Sequence, residues 1–344
     1  MIYQKILRPI FFLFDAEFIH KATFHIFHFF PSFGHLFGLA NKRIIRKHLK
    51  PLSAFGLTFS HPVGIAAGLD KNARALPFFK NMGFAFVEVG TITPKPQKGN
   101  PKPRVFRLVK DQSMINRMGF NNQGMEVIRE RLKKRPAGLI VGGNIGKNSV
   151  TPNSEAVNDF AACFEGLYTY VDYFVVNVSC PNIKDLSQLQ NKEDLGRILG
   201  HLAGLRSHKE VYIPILLKIS PDLSTHQLDE IVEVCQESGI DGLIATNTSS
   251  KRYNLTYAED EVLSFGDGGL SGTPIRETSN DVIRYLREKL GPGFPVIGSG
   301  GVMKPSDAIE KLHAGANLVQ IYTGFIYEGP GFVTDILKSY RKII

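Results

Sequence analysis

Residues 295–324 read PVIGSGGVMKPSDAIEKLHAGANLVQIYTG, and they contain two short apolar runs, 295–299 and 318–322, on either side of a helical stretch. The first run ends in Gly298-Ser299-Gly300-Gly301, and the second ends in Tyr322-Thr323-Gly324. Strands that alternate with helices predict parallel pairing, because a crossover helix joins neighbouring parallel strands. This stretch is therefore a candidate βαβ unit with glycine-rich loops at the carboxyl ends of its strands.

The same pattern recurs from residue 61 onward. Six further apolar runs precede helical stretches, at residues 63–67, 85–90, 139–145, 173–178, 213–219 and 242–247. Eight βα units predict a closed (β/α)8 TIM barrel, in which glycine loops after the last two strands are the usual phosphate-binding place. A doubly wound sheet would place such glycines after its first strand. We expect an α/β barrel over residues 51–344, preceded by a small helical extension over residues 1–50.

Composition limits the possible partners and metal sites. The chain has 344 residues, of which 43% are hydrophobic and 21% charged, so disorder is excluded as its main state. Its three cysteines, Cys163, Cys180 and Cys235, have no paired spacing, which argues against a disulfide framework and against structural zinc. We therefore expect no metal. The net charge of +9 is compatible with nucleic acid or an anionic membrane, but no nucleic-acid-binding motif accompanies it.

The first fifty residues differ from the rest. Ten of the 25 phenylalanines lie within residues 1–40, and residues 41–50 contain five Lys or Arg. The spacing of Phe11, Phe14 and Phe18 suits one helical face, and Pro31 with Gly34 separates two short helices. No apolar run approaches the roughly 18 residues of a membrane span, and the segment is a poor fit to a secretory signal.

Two interpretations of this extension remain open. It is either a helical hairpin packed on the main domain with a solvated basic run, or a helical pair lying in the membrane interface. In the second case its phenylalanines enter the acyl boundary and its basic residues lie near anionic head groups. The density of phenylalanine favours the second interpretation.

Chemically active residues cluster just after the predicted strands, where the active-site face of a barrel lies. Cys180 follows the fourth strand and is flanked by Asn177 and Asn182. It could be a nucleophile, a proton acceptor or a packed apolar residue; since no histidine lies near it in sequence, we favour a base. Cys163 and Cys235 fall on helical stretches and are expected to be structural.

Two lysines and an amide-rich loop belong to the same predicted face. Lys71 and Lys218 follow strands, and a lysine in a barrel mouth requires an anionic partner or forms a Schiff base. The loop 116–122, together with Asn247 and Thr248, supplies amides and hydroxyls that suit a planar polar ligand. Asn and Gly are also ordinary turn residues, so this loop alone is a weak signal.

Across nearly the whole chain, these residues resemble the dihydroorotate dehydrogenase family, specifically its membrane-associated, quinone-dependent (class 2) branch. The matching segments are GIAAGLDK (64–71), EVGTITPKPQ (88–97), NPKPRVFRL (100–108), INRMGFNN (115–122), NIGKN (144–148), NVSCPN (177–182), KISPDL (218–223), ATNT (245–248), GLSG (269–272), GSGG (298–301) and QIYTG (320–324).

The resemblance implies an FMN enzyme of pyrimidine synthesis that oxidises dihydroorotate to orotate. By matching positions, FMN is expected on Ala66, Ala67, Gly68, Thr91, Asn144, Asn177, Lys218, Thr246, Gly272, Gly301, Tyr322 and Thr323. The substrate is expected on Lys71, Asn116, Arg117, Met118, Gly119, Phe120, Asn177, Asn182, Asn247 and Thr248. His20 and Arg107 match positions along the quinone tunnel of that branch.

The resemblance also implies roles for the reacting groups. Cys180 is expected to take the C5 proton while the C6 hydride passes to flavin N5, and Lys218 is expected to stabilise charge on the reduced flavin. One departure matters: quinone-dependent members typically have serine as the base, whereas soluble members have cysteine. Our hypothesis is that the amino-terminal extension, which makes the path for the acceptor, decides the acceptor.

Three rival interpretations remain: a soluble member of the family that uses fumarate or NAD, a Schiff-base aldolase, and a non-catalytic membrane-binding protein. NAD use requires a partner subunit, and the chain has no cysteine cluster for an iron–sulfur centre. We expect no nucleic acid and no obligate protein partner. The absence of a transit peptide favours a bacterial, peripheral enzyme on the cytoplasmic side of the cell membrane.

Overall fold

The computed structural model of the chain describes residues 2–183, 185–253 and 255–344. Its strands are β1 (Leu52–Ala54), β2 (Leu57–Phe59), β3 (Val63–Ile65), β4 (Phe86–Ile92), β5 (Val105–Leu108), β6 (Ser113–Asn116), β7 (Ile140–Ile145), β8 (Tyr173–Asn177), β9 (Ile215–Ile219), β10 (Gly242–Ala245), β11 (Gly269–Gly272), β12 (Val296–Ser299) and β13 (Leu318–Ile321).

Eight of these strands form a closed parallel barrel in the order β3-β4-β7-β8-β9-β10-β12-β13, and β13 pairs with β3 to close it. All eight predicted runs are present, and their ends differ from the prediction by no more than two residues. The predicted TIM-barrel fold is therefore confirmed.

Helices lie between the barrel strands and before the first of them. They are α1 (Arg8–Phe12), α2 (Ala16–Phe29), α3 (Phe33–His48), α4 (Leu76–Met82), α5 (Met125–Leu132), α6 (Ala156–Leu167), α7 (Lys192–Ser207), α8 (Thr225–Ser238), α9 (Glu259–Ser264), α10 (Arg276–Leu290), α11 (Pro305–His313), α12 (Thr323–Glu328) and α13 (Phe332–Tyr340). A π-helical turn, Tyr3–Leu7, precedes α1, and short 3₁₀ turns occur at Asn153–Glu155, Leu186–Gln190 and Thr273–Ile275.

The amino-terminal end of the barrel is filled with aromatic side chains. The hairpin of β1 and β2 brings Phe55 and Phe59 there, and their ring centroids lie 5.4 Å from Tyr173 and 5.3 Å from Phe86, respectively. All four residues are buried. Since this end is packed, the carboxyl-terminal end is left to hold the site.

A second, antiparallel sheet of β5, β6 and β11 is formed by segments outside the barrel. Strand β6 lies in the middle and pairs Asn116 with Val105 on one side and with Gly269 on the other. This sheet fixes the loop that begins at Asn116. Neither this sheet nor the β1–β2 hairpin belongs to the predicted strands.

The amino-terminal extension contains the expected helical pair, α2 and α3, with Pro31 between them. One detail of the prediction is wrong: Phe11, Phe14 and Phe18 do not share one helix. Helix α1 ends at Phe12, and the Asp15 carboxylate accepts a hydrogen bond from the Phe18 N–H (2.8 Å), so α2 begins with its own cap.

The helical pair packs tightly on α4. The Asn41 amide donates to the Met82 carbonyl (2.8 Å), and the Asn81 amide donates to the Pro31 carbonyl (3.0 Å). Within the described residues, no helix has both the length and the apolar character that crossing a bilayer requires.

Candidate active site

A cavity of about 410 Å³ begins at the carboxyl-terminal end of the barrel and continues between the amino-terminal helices. Most of the predicted site residues line it: His20, Ala66, Ala67, Gly68, Lys71, Thr91, Arg107, Asn116, Met118, Gly119, Phe120, Asn177, Cys180, Asn182, Lys218, Thr246, Asn247, Thr248, Gly272, Gly301, Tyr322 and Thr323.

Two predicted residues lie elsewhere. Asn144 lies one layer below the cavity, where its amide oxygen accepts hydrogen bonds from Thr91 and Asn177. Arg117 turns outward: its guanidinium donates to the Pro103 carbonyl (3.0 and 3.2 Å) and lies over the Phe106 ring. Asn144 therefore supports the cavity wall, whereas the Arg117 side chain is directed away from it.

Amide side chains are linked across the polar end of the cavity. The Asn177 amide donates to Thr91 Oγ1 (2.9 Å), and the Asn247 amide donates to Asn177 Oδ1 (3.3 Å). On the opposite side, Asn182 donates to Asn116 Oδ1 (2.9 Å). These bonds hold several amides in fixed orientations around one space, which suits recognition of a ring that carries its own amide groups.

Below this layer, Lys218 lies near a carboxylate that the sequence reading did not select. Its Nζ is 3.7 Å from Glu88 Oε1, and both side chains are buried. Glu88 also accepts hydrogen bonds from Asn144 (2.8 Å) and from Gln320. The signal for Glu88 in the sequence is a single acid within an apolar strand, which is uncommon because a buried charge requires partners.

Cys180 faces the cavity, which Lys71 and Lys218 also line. Burial raises the pKa of its thiol above the usual value, while hydrogen bonding at Asn182 and the charges of Lys71 and Lys218 act to lower it. Cys163 and Cys235 are buried on α6 and α8, and burial raises the pKa of Cys235 to about 12. Of the three thiols, Cys180 is the one that lines the cavity.

Lys71 and His20 mark the transition from the polar to the apolar part of the cavity. Burial lowers the pKa of Lys71 to about 8, although the neighbouring Cys180 acts to raise it. Burial also lowers the pKa of His20 to about 4, so its imidazole is neutral at pH 7. The His20 ring packs on the Phe24 ring with 4.3 Å between centroids.

Beyond His20, the cavity is lined mainly by apolar side chains of the extension. These are Tyr3, Leu7, Phe11, Phe12, Ala16, Ile19, Phe24, Ile26, Phe27 and Phe37, and the polar side chains of Glu17 and Thr23 lie among them. Arg107 lies at the wall of this part, where its guanidinium is 4.5 Å from the centre of the Phe12 ring and donates to the Phe14 carbonyl (2.8 Å). We call this part the apolar arm; it offers a path for an apolar molecule toward the barrel.

The loop after β12 brings glycine backbone rather than side chains to the cavity wall. Gly300 and Gly301 have φ angles of +97° and +75°, and a Cβ atom on Gly301 would come within 2.3 Å of the Arg276 backbone. Glycine is required there because other residues rarely adopt such φ angles. Close by, the hydroxyl of Thr246 is buried and has no hydrogen-bond partner among the described residues.

Comparison with known proteins assigns the chain to a family. A family model described as dihydroorotate dehydrogenase matches residues 51–344. The chain belongs to this family. Dihydroorotate dehydrogenases are oxidoreductases, so the aldolase and the non-catalytic interpretations are excluded.

Relatives extend the match over the amino-terminal helices. The chain is 49% identical over 335 residues to the dihydroorotate dehydrogenase (quinone) of Christiangramia forsetii, with 97% of each chain covered. It is 44% identical over 343 residues to the enzyme of the same name from Chromobacterium violaceum, with 98% of each covered. The predicted family and its quinone-dependent branch are thereby confirmed, and the fumarate or NAD alternative is not favoured.

A solved dihydroorotate dehydrogenase has the same fold. The Eimeria tenella enzyme in complex with ferulenol superposes with a TM-score of 0.83 at 34% identity, covering 96% of this chain and 91% of that one. The individual roles of the cavity residues remain predictions.

Proposed function

We propose that the protein oxidises dihydroorotate to orotate in this cavity for pyrimidine synthesis, and that a membrane quinone takes up the electrons. One observation supports this proposal. A single cavity joins its polar end, which we call the chamber and which Asn177, Cys180 and Asn182 line, to the apolar arm of the amino-terminal helices. The chamber suits a small polar ring, and the arm suits an apolar electron acceptor. The two sites adjoin because their wall residues meet at Lys71 and His20.

We also propose FMN as the cofactor, because the residues fit it. The loop at Gly300 and Gly301 presents backbone without side chains to the cavity, the unpartnered Thr246 hydroxyl offers a hydrogen bond, and Lys218 offers its ammonium group in the same cavity. The remaining cofactor contacts are those expected from the sequence, with Asn144 acting through Thr91 and Asn177. When bound, FMN supplies the acceptor for the hydride that leaves C6 of the substrate.

The side chains of the chamber divide the remaining work. Lys71 attracts the substrate carboxylate, and the amides of Asn116, Asn177, Asn182 and Asn247 orient the ring with the Thr248 hydroxyl beside them. Cys180, as thiolate, takes the proton from C5. Loss of that proton, together with loss of the hydride from C6, leaves the C5–C6 double bond of orotate, so atoms and charge balance.

We further propose that the enzyme is peripheral on the cytoplasmic face of the cell membrane, at an anionic surface. Fourteen of the 22 large apolar side chains that are exposed among the described residues lie between Ile2 and Leu39. The last turn of α3 adds Arg46, Lys47 and His48. Apolar side chains beside basic ones are the combination with which interfacial helices bind anionic lipid.

The experiment that tests the proposed activity is dihydroorotate-dependent reduction of a short-chain quinone by the detergent-purified protein, with fumarate and NAD tested in parallel. We expect a yellow protein that reduces the quinone and neither of the other acceptors. Turnover with fumarate would contradict the acceptor, and a colourless protein that binds no FMN would contradict the cofactor.

A further inference from the structure

The amino-terminal extension carries one nearly buried acid, Glu17, which lies on α2 and lines the cavity. Both of its carboxylate oxygens accept hydrogen bonds from Arg104, at 3.0 Å from Nε and 2.9 Å from Nη2. The exposed fractions of the two side chains are only 5% and 6%. Lys21 and Lys102 lie farther from the carboxylate, at 3.5 and 3.4 Å, and are largely exposed.

The charge on Glu17 is retained despite its burial. Burial alone would raise the pKa of the carboxyl, but the hydrogen bonds and the charge of Arg104 outweigh it and lower the pKa to about 2. A bidentate guanidinium–carboxylate pair fixes orientation as well as distance. Helix α2 and the loop that carries Arg104 are therefore held in one defined relation.

Arg104 in turn holds the loops of the substrate chamber. Its Nη1 donates to the carbonyls of Lys98 and Asn100, each at 2.8 Å. The Asn100 side chain donates to the Asn182 carbonyl (3.0 Å), two residues beyond Cys180. The Asn100 backbone N–H donates to the Met118 carbonyl (3.1 Å), so the same loop also supports the amide-rich segment.

Three direct links thus connect α2 to the loop of the base: Glu17 to Arg104, Arg104 to Asn100, and Asn100 to Asn182. We propose that the Glu17–Arg104 pair is a positioning device through which the extension holds Cys180 in its reactive place. This inference rests on the proposed function, since it takes Cys180 as the base. It means that the extension serves the oxidation of dihydroorotate, in addition to providing the path for quinone.

The test separates the two half-reactions in the full-length, flavin-loaded enzyme. In Glu17→Gln, we expect flavin reduction by dihydroorotate in the absence of quinone to slow by about ten- to a hundredfold, because a displacement of about 1 Å can have an effect of this size. Reoxidation of the reduced enzyme by a short-chain quinone should slow less than flavin reduction does, because the pair is linked directly to the loop of the base.

Lys21→Gln is the matched control. It also removes a charge from the Glu17 cluster on α2, but it leaves the bidentate pair intact, so flavin reduction should be unchanged. If Glu17→Gln reduces its flavin at the wild-type rate, or slows only the quinone step, the proposed positioning role is wrong. If wild type itself is not reduced by dihydroorotate, the proposed function fails instead.

A second variant covers the case in which Glu17→Gln does not fold, because it leaves Arg104 buried without its partner. The double variant Glu17→Met, Arg104→Met removes both charges and keeps similar side-chain volumes, an exchange that proteins often tolerate. We expect it to fold and to show the same slow flavin reduction. Wild-type reduction in the double variant would overturn the inference, because the link would then be dispensable.

Discussion

At the scale of the residue, the surroundings of Cys180 act on the pKa of its thiol in opposite directions. Burial favours its neutral thiol, whereas Lys71 and Lys218 favour the thiolate. Because burial has the larger effect, the pKa is raised, and a thiol with a raised pKa is mostly protonated at neutral pH. Only the thiolate can accept the C5 proton, so flavin reduction should accelerate as the pH rises and level off above the pKa.

Cys180→Ser tests this assignment through its pH dependence. A serine hydroxyl ionises far above the pH range of the assay, so the variant should be slower throughout and should not level off. The difference from wild type should therefore be greatest at low pH, by about a hundredfold or more on the scale of a lost general base. Rapid-mixing measurements of flavin reduction at several pH values check this, and the KM for quinone should not change. Equal rates across the pH range would rule out Cys180 as the base.

Residue types and their order along the chain predicted most of the cavity wall, because the carboxyl ends of barrel strands must meet at one face. They could not predict Glu17 with Arg104, since these residues lie 87 positions apart and belong to different elements. Arg117 shows that a motif predicts a position but not the direction of a side chain. It lies within a matching motif, but only the fold reveals that its guanidinium donates to the Pro103 carbonyl.

At the scale of the element, the contact of α3 with α4 depends on two glycines. A Cβ atom on Gly34 would lie 2.4 Å from the Phe78 carbonyl oxygen, and one on Gly38 would lie 1.8 Å from the Asn81 carbonyl oxygen. Backbone therefore lies against backbone at these positions. A methyl group at either position would force the two helices apart. Phe37, which lines the apolar arm, would then move with α3.

We expect Gly38→Ala to lower the free energy of unfolding by about 1–3 kcal/mol, the usual effect of overpacking, and to slow quinone reoxidation. Gly200→Ala is the control, because it lies within α7 and a Cβ atom there would meet nothing within 4 Å. That control should raise the stability by about 0.5–1 kcal/mol, since alanine loses less backbone entropy than glycine. Urea unfolding measures both, and equal shifts in the two variants would contradict the close packing of α3.

The sequence predicted the strands of the repeated strand–helix pattern better than the strands outside it. The eight barrel strands stand out because each apolar run ends in small or polar residues. Strands β1, β2 and β5 are not followed by helices, so they fall outside the pattern that marks the barrel strands. Strand β11 becomes recognisable only by pairing with β6, which lies far from it in the chain. The break after Phe12 was missed because the helical spacing of phenylalanines continues across it.

At the scale of the whole molecule, the exposed apolar side chains of the extension and the basic end of α3 predict a lipid-binding face. The full-length protein should sediment with vesicles that contain anionic lipid. Replacing Arg43, Arg46 and Lys47 by Gln should weaken this binding about tenfold or more, given roughly 1 kcal/mol for each basic residue near the surface. Binding to neutral vesicles should change little.

The control for this measurement replaces three exposed lysines of the barrel, Lys134, Lys209 and Lys289, by Gln. It changes the net charge by the same amount but leaves the extension intact. If both triple variants lose binding to anionic vesicles equally, the attraction depends on overall charge and the proposed face is wrong.

The position of the apolar arm has a consequence for kinetics. Leu7, Ile26 and Phe37 line the arm and are also among the exposed apolar side chains, so the arm reaches the surface where lipid is expected. Dihydroorotate then arrives from the aqueous phase, and quinone arrives by diffusion within the lipid bilayer. The turnover rate should therefore depend on the mole fraction of quinone in the bilayer. Adding lipid at a fixed amount of quinone should slow turnover by surface dilution.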